Sequence, residues 1–310
     1  MERETRSKGN MGFVQRMTKI EVGSSDLPGL YQTAGRASLT SQSAYFTGLK
    51  WYLILLVCAA FVSYSIPNNV WGAVLSALLF LATLGILIFI RTRRPDEIWY
   101  NGRAVAESVK TRAWRWMMRA DPYQEQQNDE VVSRNFISDL KAILEQNKSL
   151  SHALQSGCAL SDPISQKMRE VRALSAADRL ALYVGQRVSD QAEWYWKKSR
   201  FNKRRADLWF WISVILHSAA IIMLIIRISD LTLSFPIEVI ATAAGSALTW
   251  LQAKKHNELN SAYALAAHEI FLIKGESALV STEDQLSEYV VNSEAAFSRE
   301  HTQWTARKGD

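Results

Sequence analysis

Cysteine is nearly absent from this sequence: there are two, Cys58 in an apolar block and Cys158 in a polar region. A disulfide framework therefore does not organise the fold. Proline is equally sparse, at six residues, and none falls between 175 and 228. A glycine-rich phosphate loop, a nucleophile elbow and paired Cys or His at metal-ligand spacing are all missing. His268-Glu269 lacks the second histidine, four residues after the first, that a zinc-protease helix requires. The chain is not expected to be an enzyme, and neither a cofactor nor a metal is expected. A strong excess of positive charge is lacking too. The formal net charge is +6, and Lys and Arg gather beside apolar blocks, not on a face interleaved with base-stacking aromatics. That pattern fits an anionic membrane surface and argues against a nucleic-acid partner. Residues 1–48 carry no apolar run of the kind a cleavable signal peptide needs, so the first apolar block is expected to act as an uncleaved signal anchor.

What the sequence does contain is four apolar blocks. The third forms the end of a run, 175–228, around which the chain is organised. This run has a single glycine, Gly185. Ser175 followed by Asp178 resembles a capping box at a helix start. At about 1.5 Å per residue, about 50 helical residues span ~75 Å, of which a bilayer core holds only ~30 Å. One continuous helix is therefore expected, polar in its first half and membrane-embedded in its second. The junction is a basic collar, Arg200, Lys203, Arg204 and Arg205, followed by Trp209 and Trp211, the residue types that a membrane boundary favours.

The predicted fold class is an all-α membrane protein with two transmembrane helical hairpins, four crossings in all, and long helices extending into the cytoplasm. The crossings are placed at about 49–66, 70–90, 208–226 and 235–251. Pro67-Asn68-Asn69 makes the first hairpin turn, and 227–230 makes the second. Pro95, Asp96 and Glu97 suit a helix start, Asp121-Pro122 breaks that helix, and 129–148 shows helical spacing at Val132, Phe136, Leu140, Ile143 and Leu144. Ser161-Asp162-Pro163 is expected to open a short helix. Beyond Lys254 and Lys255 the fourth helix is expected to continue to about residue 274, and an amphipathic helix is expected around 286–297. Two copies of one plan, 27–122 and 165–275, are separated by a helical linker, 123–164. A disordered arm, 1–26, and a cytoplasmic tail, 276–310, complete the chain. Lys50, Arg91, Arg93, Arg94, the 200–205 collar, Lys254 and Lys255 flank the hairpins on one side, whereas the outer turns hold only Arg227, offset by Asp230. The positive-inside rule then places both termini in the cytoplasm of a multi-pass protein of the bacterial inner membrane.

Two stretches carry a family resemblance. Trp99-Tyr100, Arg103-Ala104, Ala106-Glu107-Ser108, Lys110-Thr111 and Trp114-Arg115, closing with Ala120 to Tyr123, resemble the third subtype of SLATT domains. Arg172, Arg179, Tyr183, Arg187, Asp190-Gln191, Trp194-Tyr195 and Lys198, placed just before a hairpin, resemble the first subtype. These are two-helix membrane effector modules associated with SMODS nucleotidyltransferases and SLOG nucleotide sensors. The resemblance implies a pore-forming or membrane-perturbing effector of a bacterial conflict system. Its signal, a nucleotide for example, would come from a synthase or sensor protein encoded nearby. The other partners it implies are the lipid bilayer and further copies of the chain, as a homo-oligomer. A non-conducting membrane scaffold, and an ion channel or transporter unrelated to defence, are the competing readings.

Candidate site residues follow from cost in a membrane. Glu238 is either a pore or gating residue or a headgroup-level carboxylate on its helix dipole. His217 is either a titrating switch or a neutral hydrogen-bonding residue. Thr242 and Ser246, with Thr249, form a thin polar stripe. Ala241, Ala244 and Gly245 belong to a small-residue run suited to close helix packing, with Ala241 and Gly245 on one face and Ala243 and Ala247 on another. The cytoplasmic motif residues are Trp99, Arg103, Glu107, Lys110, Trp114, Tyr183, Arg187, Gln191 and Trp194; Arg103, Glu107 and Lys110, with Trp99, Trp114 and Trp116, are expected to dock on Arg187, Asp190 and Trp194. The alternative is a basic and aromatic pocket for an anionic nucleotide.

Overall fold

The structure is a computed structural model that describes residues 20–124, 128–150, 152–154 and 162–306. All regular structure among the described residues is helical. The helices are α1 (Gly29–Ser65), α2 (Val70–Arg93), α3 (Pro95–Met117), α4 (Asp129–Gln146), α5 (Gln166–Arg172) and α6 (Ala176–Tyr183), followed by a π-helical turn (Val184–Val188), α7 (Ser189–Ser229), α8 (Ile237–Lys254), α9 (His256–Glu276) and α10 (Glu283–Ala306). Contacts group the chain into two units. An apolar unit comprises Thr40–Glu97 and Lys197–Tyr263; a polar unit comprises the chain up to Leu39, Ile98–Trp196, and the chain from Ala264 onward. Each of the two sequence copies contributes residues to both units.

In the apolar unit, Asn68 takes a left-handed backbone (φ 57°) and Asn69 caps α2 by accepting from the Trp71 N–H at 2.8 Å. Gly72 is required here, because a Cβ would meet the Ile66 carbonyl at 2.6 Å. Ser63 and Ser76 share a hydrogen bond of 3.3 Å between the two helices of this hairpin. Most other side chains on α2 are large, apolar and exposed, among them Leu81, Leu84 and Ile88. The same is true of Ile215, Ile222 and Ile225 on α7. Apolar faces this extensive mark a surface that water does not cover. Three helical runs, Gly29–Ser65, Val70–Met117 and Ala176–Ser229, are long and apolar enough to cross a membrane among the described residues. Helix α8 has 18 residues and carries Glu238 in its first turn and Lys254 in its last.

The helix that begins with α8 does not run unbroken to residue 274 as expected. Lys255 adopts a left-handed backbone (φ 49°), and its N–H donates to the carbonyls of Leu251 and Gln252, closing α8. The break turns His256 inward, where its Nδ1 lies 2.7 Å from Asn202 Oδ1. Asn202 Nδ2 in turn donates to the Lys198 carbonyl. Lys254 stays beside the break, its ammonium 3.3 Å from the Phe46 ring centroid and 4.9 Å from that of Trp250.

In the polar unit, local sequence sets the helix starts. Asn128, Ser165 and Ser175 cap α4, α5 and α6 through hydrogen bonds to backbone N–H groups. Ser175 accepts from the Asp178 N–H, while its own hydroxyl donates to the Asp178 carboxylate. Helix α5 starts at Gln166; Ser161 lies outside the described residues. Residues 1–19 of the expected arm also lie outside them. Residues 20–26 are ordered: the Gln186 carboxamide accepts from the Val22 N–H and donates to the Ile20 carbonyl, and a 3-10 turn follows at Ser24–Asp26. Helices α1 and α3 approach closely because residue 102 is glycine; a Cβ there would meet the Ala34 carbonyl at 3.0 Å. Ser38 donates to the Trp99 carbonyl across the same contact. Val132, Phe136 and Leu140 bury the inner face of α4, whereas Leu144 is exposed.

Candidate functional site: three buried arginines and the carboxylates that close over them

Arg172, Arg179 and Arg187 lie on the stretch from α5 to the π turn, and all three are buried. Burying a guanidinium is tolerable only where its charge is compensated and most of its donors are used; Arg172 and Arg187 each leave one terminal nitrogen without a hydrogen-bond partner among the described residues. Arg172 donates to the carbonyls of Trp116 (2.7 Å) and Tyr123 (3.1 Å), lies over the Trp116 ring, and pairs with Asp129 at 3.6 Å. Arg179 donates to the Met118 carbonyl at 2.5 Å and to the Glu283 carboxylate. The Trp116 and Met118 carbonyls lie at the end of α3, where the helix dipole is negative and cations stabilise it, and the Tyr123 carbonyl lies in the turn beyond.

Arg187 meets a fully buried partner. Its Nε and one terminal nitrogen donate to the two oxygens of Glu294 at 2.8 and 2.7 Å, in a bidentate pair. Tyr183 donates to the same carboxylate at 3.0 Å and Thr111 at 2.8 Å. Phe297 covers the guanidinium face, 4.9 Å away. Burial alone would lower the Arg187 pKa, but the Glu294 charge and its hydrogen bonds more than offset this, so the net shift is upward. Burial, with the adjacent Glu294 charge, pushes the Tyr183 phenol well above its ordinary value. Burial, together with the Arg187 guanidinium, pushes Lys110 down, against the opposing pull of Glu107, Glu294 and Asp190. The π turn spans Val184–Val188 and so contains Arg187. One extra residue in a helical turn re-aims side chains, and such turns occur often at functional sites.

The two sequence motifs meet in this unit. The Trp114 ring packs edge-on against Tyr183 at 5.7 Å, and Arg103 lies 6.0 Å from the Trp194 ring. Trp99 is buried and stacks on Tyr100; Gln191 is half-buried on α7. Sequence reasoning missed Glu283 and Glu294, and met Thr111 only as part of the Lys110-Thr111 motif. The readable signal was on α10, where Glu294 shares an apolar stripe with Leu286, Val290 and Phe297. A carboxylate in such a stripe requires a buried cationic partner.

The membrane candidates lie apart from one another in role. Glu238 is exposed, and its carbonyl accepts from Thr242 at 2.7 Å. Thr249 donates to the Gly245 carbonyl at 2.8 Å, and His217 Nδ1 lies 2.7 Å from the Ser213 carbonyl. Ser246 is half-buried. Ala244 and Ala247 are the buried small residues of α8, whereas Ala241 and Gly245 are exposed. Within one chain the packed face is therefore rotated away from the Ala241–Gly245 pair.

Three apolar helical runs long enough to cross a membrane, joined to a polar helical unit, define a membrane protein, and no catalytic family is indicated. The family model described as SMODS and SLOG-associating 2TM effector domain 3 matches residues 28–180, and that described as SMODS and SLOG-associating 2TM effector domain 1 matches residues 183–304. The chain belongs to the SLATT superfamily, with a subtype-3 and a subtype-1 domain in tandem. Searches of curated proteins and of solved structures found no match.

Proposed function

We propose that this protein is a pore-forming or membrane-perturbing effector of a bacterial conflict system, released by a cytoplasmic signal of the nucleotide class. The tandem of two membrane effector domains carries this reading. The helix α8 supplies a fourth crossing beside the three longer ones, with Glu238 at the outer headgroup level. Both termini and the polar unit lie in the cytoplasm of the inner membrane. Thr242, Thr249 and His217 are engaged with carbonyls of their own helices, so a single chain presents little polar lining. Conduction therefore requires several copies. Leu265 and Leu272, seven residues apart on α9, are both more than two-thirds exposed, and Phe271 is exposed beside them. Apolar residues at heptad spacing form a seam that a second helix covers.

The test is leakage of ions and a small dye from anionic liposomes holding the full-length protein, with and without cytosolic extract or a panel of cyclic nucleotides. Protein-dependent leakage that rises with an added factor is the expected result. Inserted, folded protein that releases nothing under any condition would instead favour the non-conducting scaffold, for which the sparse polar lining is the supporting observation.

A further inference from the structure

An open cleft of about 620 Å³ lies in the polar unit between α4 and α5. Arg134, Ser138 and Lys141 line it from one face of α4, with Ser133 beside them, and Arg169 faces them from α5. Positions 134, 138 and 141 follow helical spacing, so their side chains project together. The neighbouring carboxylates are engaged elsewhere: Asp129 by Arg172, Asp139 by Arg112 and Tyr123, Glu145 by Lys148, and Glu170 by Lys167. Arg134, Lys141 and Arg169 form no ion pair among the described residues. Three cations thus border one concavity without forming an ion pair, and the two carboxylates in its lining, Asp129 and Glu130, both sit at the α4 N-terminus, Asp129 being paired with Arg172. Glu130 stands at the end of the cleft, in the first turn of α4, where the helix dipole favours it.

We propose that this cleft binds a ligand bearing two or more phosphate groups. Arg134 and Lys141 are two helical turns apart, ~10 Å along the axis, which is more than one phosphate spans and suits a chain or pair of them. Guanidinium groups bind phosphate oxygens in a bidentate manner, Lys adds a point charge, and the two serine hydroxyls donate to the remaining oxygens. Glu130 repels an anion at its own end and accepts from a hydroxyl or amine, which sets the ligand's direction. The phosphates could be free or carried on a lipid headgroup; the chemistry at the cleft is the same.

The experiment is calorimetric titration of the full-length protein, in phosphatidylcholine nanodiscs, with inorganic tripolyphosphate. Wild type is expected to bind, more weakly as salt rises. Arg134→Ala and Arg169→Ala are each expected to weaken binding about tenfold or more, one such factor being 1.4 kcal/mol. Lys148→Ala, which removes a cation already paired with Glu145, leaves affinity unchanged. All three positions are exposed, and far-UV circular dichroism checks that each variant remains helical. A second arm uses nanodiscs containing cardiolipin, a lipid with two phosphates. Competition with tripolyphosphate there supports the site with a lipid-borne ligand, and unchanged affinity supports it with a free one. Absence of binding by wild type, or equal binding by wild type and the Arg134→Ala, Lys141→Ala, Arg169→Ala triple variant, overturns the proposal.

Discussion

Glu294 and Glu238 are the same residue type in the two units, held in opposite ways. In the polar unit the Glu294 carboxylate accepts from Arg187, Tyr183 and Thr111 and is sealed from solvent. In the apolar unit Glu238 stays exposed at a helix start. The contrast extends to their neighbours. Polar side chains of the polar unit reach across long sequence separations, 107 residues from Arg187 to Glu294. Thr242, Thr249 and His217 reach only four residues, back to their own helix. A helix in lipid can satisfy its backbone and short polar side chains alone, without a partner. A water-exposed bundle gains specificity from pairs between helices. The polar unit is thus held by ion pairs between distant helices, while the apolar unit, apart from hydrogen bonds such as Tyr64 to the Ser234 carbonyl and His256 to Asn202, presents large apolar faces.

The largest expected effect is at Glu294. Glu294→Gln removes the charge that compensates buried Arg187 and should destabilise the polar unit by about 3–5 kcal/mol in chemical denaturation. Replacing the pair together, Arg187→Met with Glu294→Leu, should recover most of that loss, because no unpaired charge remains. If the single variant costs no more than a surface change, the contrast between the units disappears.

Tyr183→Phe comes next, at about 1.5–3 kcal/mol near neutral pH for a hydrogen bond to a charged group. It also carries a pH signature. The folded-state pKa of Tyr183 is raised above its unfolded value, and Tyr289 is pushed up to about 12, chiefly by burial. A raised pKa gives stability that is complete below the unfolded value, ~10 for tyrosine, and is lost as pH climbs towards the folded one. Wild type should lose up to about 1.4 kcal/mol per pH unit through Tyr183 above pH ~10. Tyr183→Phe lacks this contribution, so the gap between the two should narrow with rising pH. A gap that stays constant to pH 11.5 would contradict the buried position of the phenol.

Ser175→Ala removes the cap of α6 and should cost about 1 kcal/mol in thermal or chemical unfolding. At the small end, Glu238→Gln should change stability by less than ~0.5 kcal/mol. Its effect, if the residue borders a conducting path in the oligomer, should appear in the ion selectivity of liposome leakage and not in unfolding.

Much of this was legible in the sequence, and the reasons are local. Charge-free runs, the Pro67-Asn68-Asn69 turn, the Ser175 cap, the Pro95 start and the Asp121-Pro122 break are written in neighbouring residues, and helices respond to neighbours. The break at Lys255 was not legible, because neither glycine nor proline marks it; it is held by tertiary bonds of His256 and Asn202. The π turn around Arg187 has no composition signal either, since its residues suit an ordinary helix. On α8, small residues occupy several faces at once, so spacing alone did not distinguish Ala244 and Ala247 from Ala241 and Gly245. The acidic partners of Arg179 and Arg187 lay 104 and 107 residues away, beyond any local pattern.

The proposed topology has four crossings, with the turns at 68 and 230 outside and residue 175 in the cytoplasm. Single cysteines at Asn68, Asp230 and Ser175, in a chain carrying Cys58→Ala and Cys158→Ala, test it most directly with a membrane-impermeant thiol reagent on intact cells. The account predicts labelling from outside at positions 68 and 230, and labelling at 175 only after the cells are opened. Labelling at 175 in intact cells, or protection at 230 with access at 68, would contradict it.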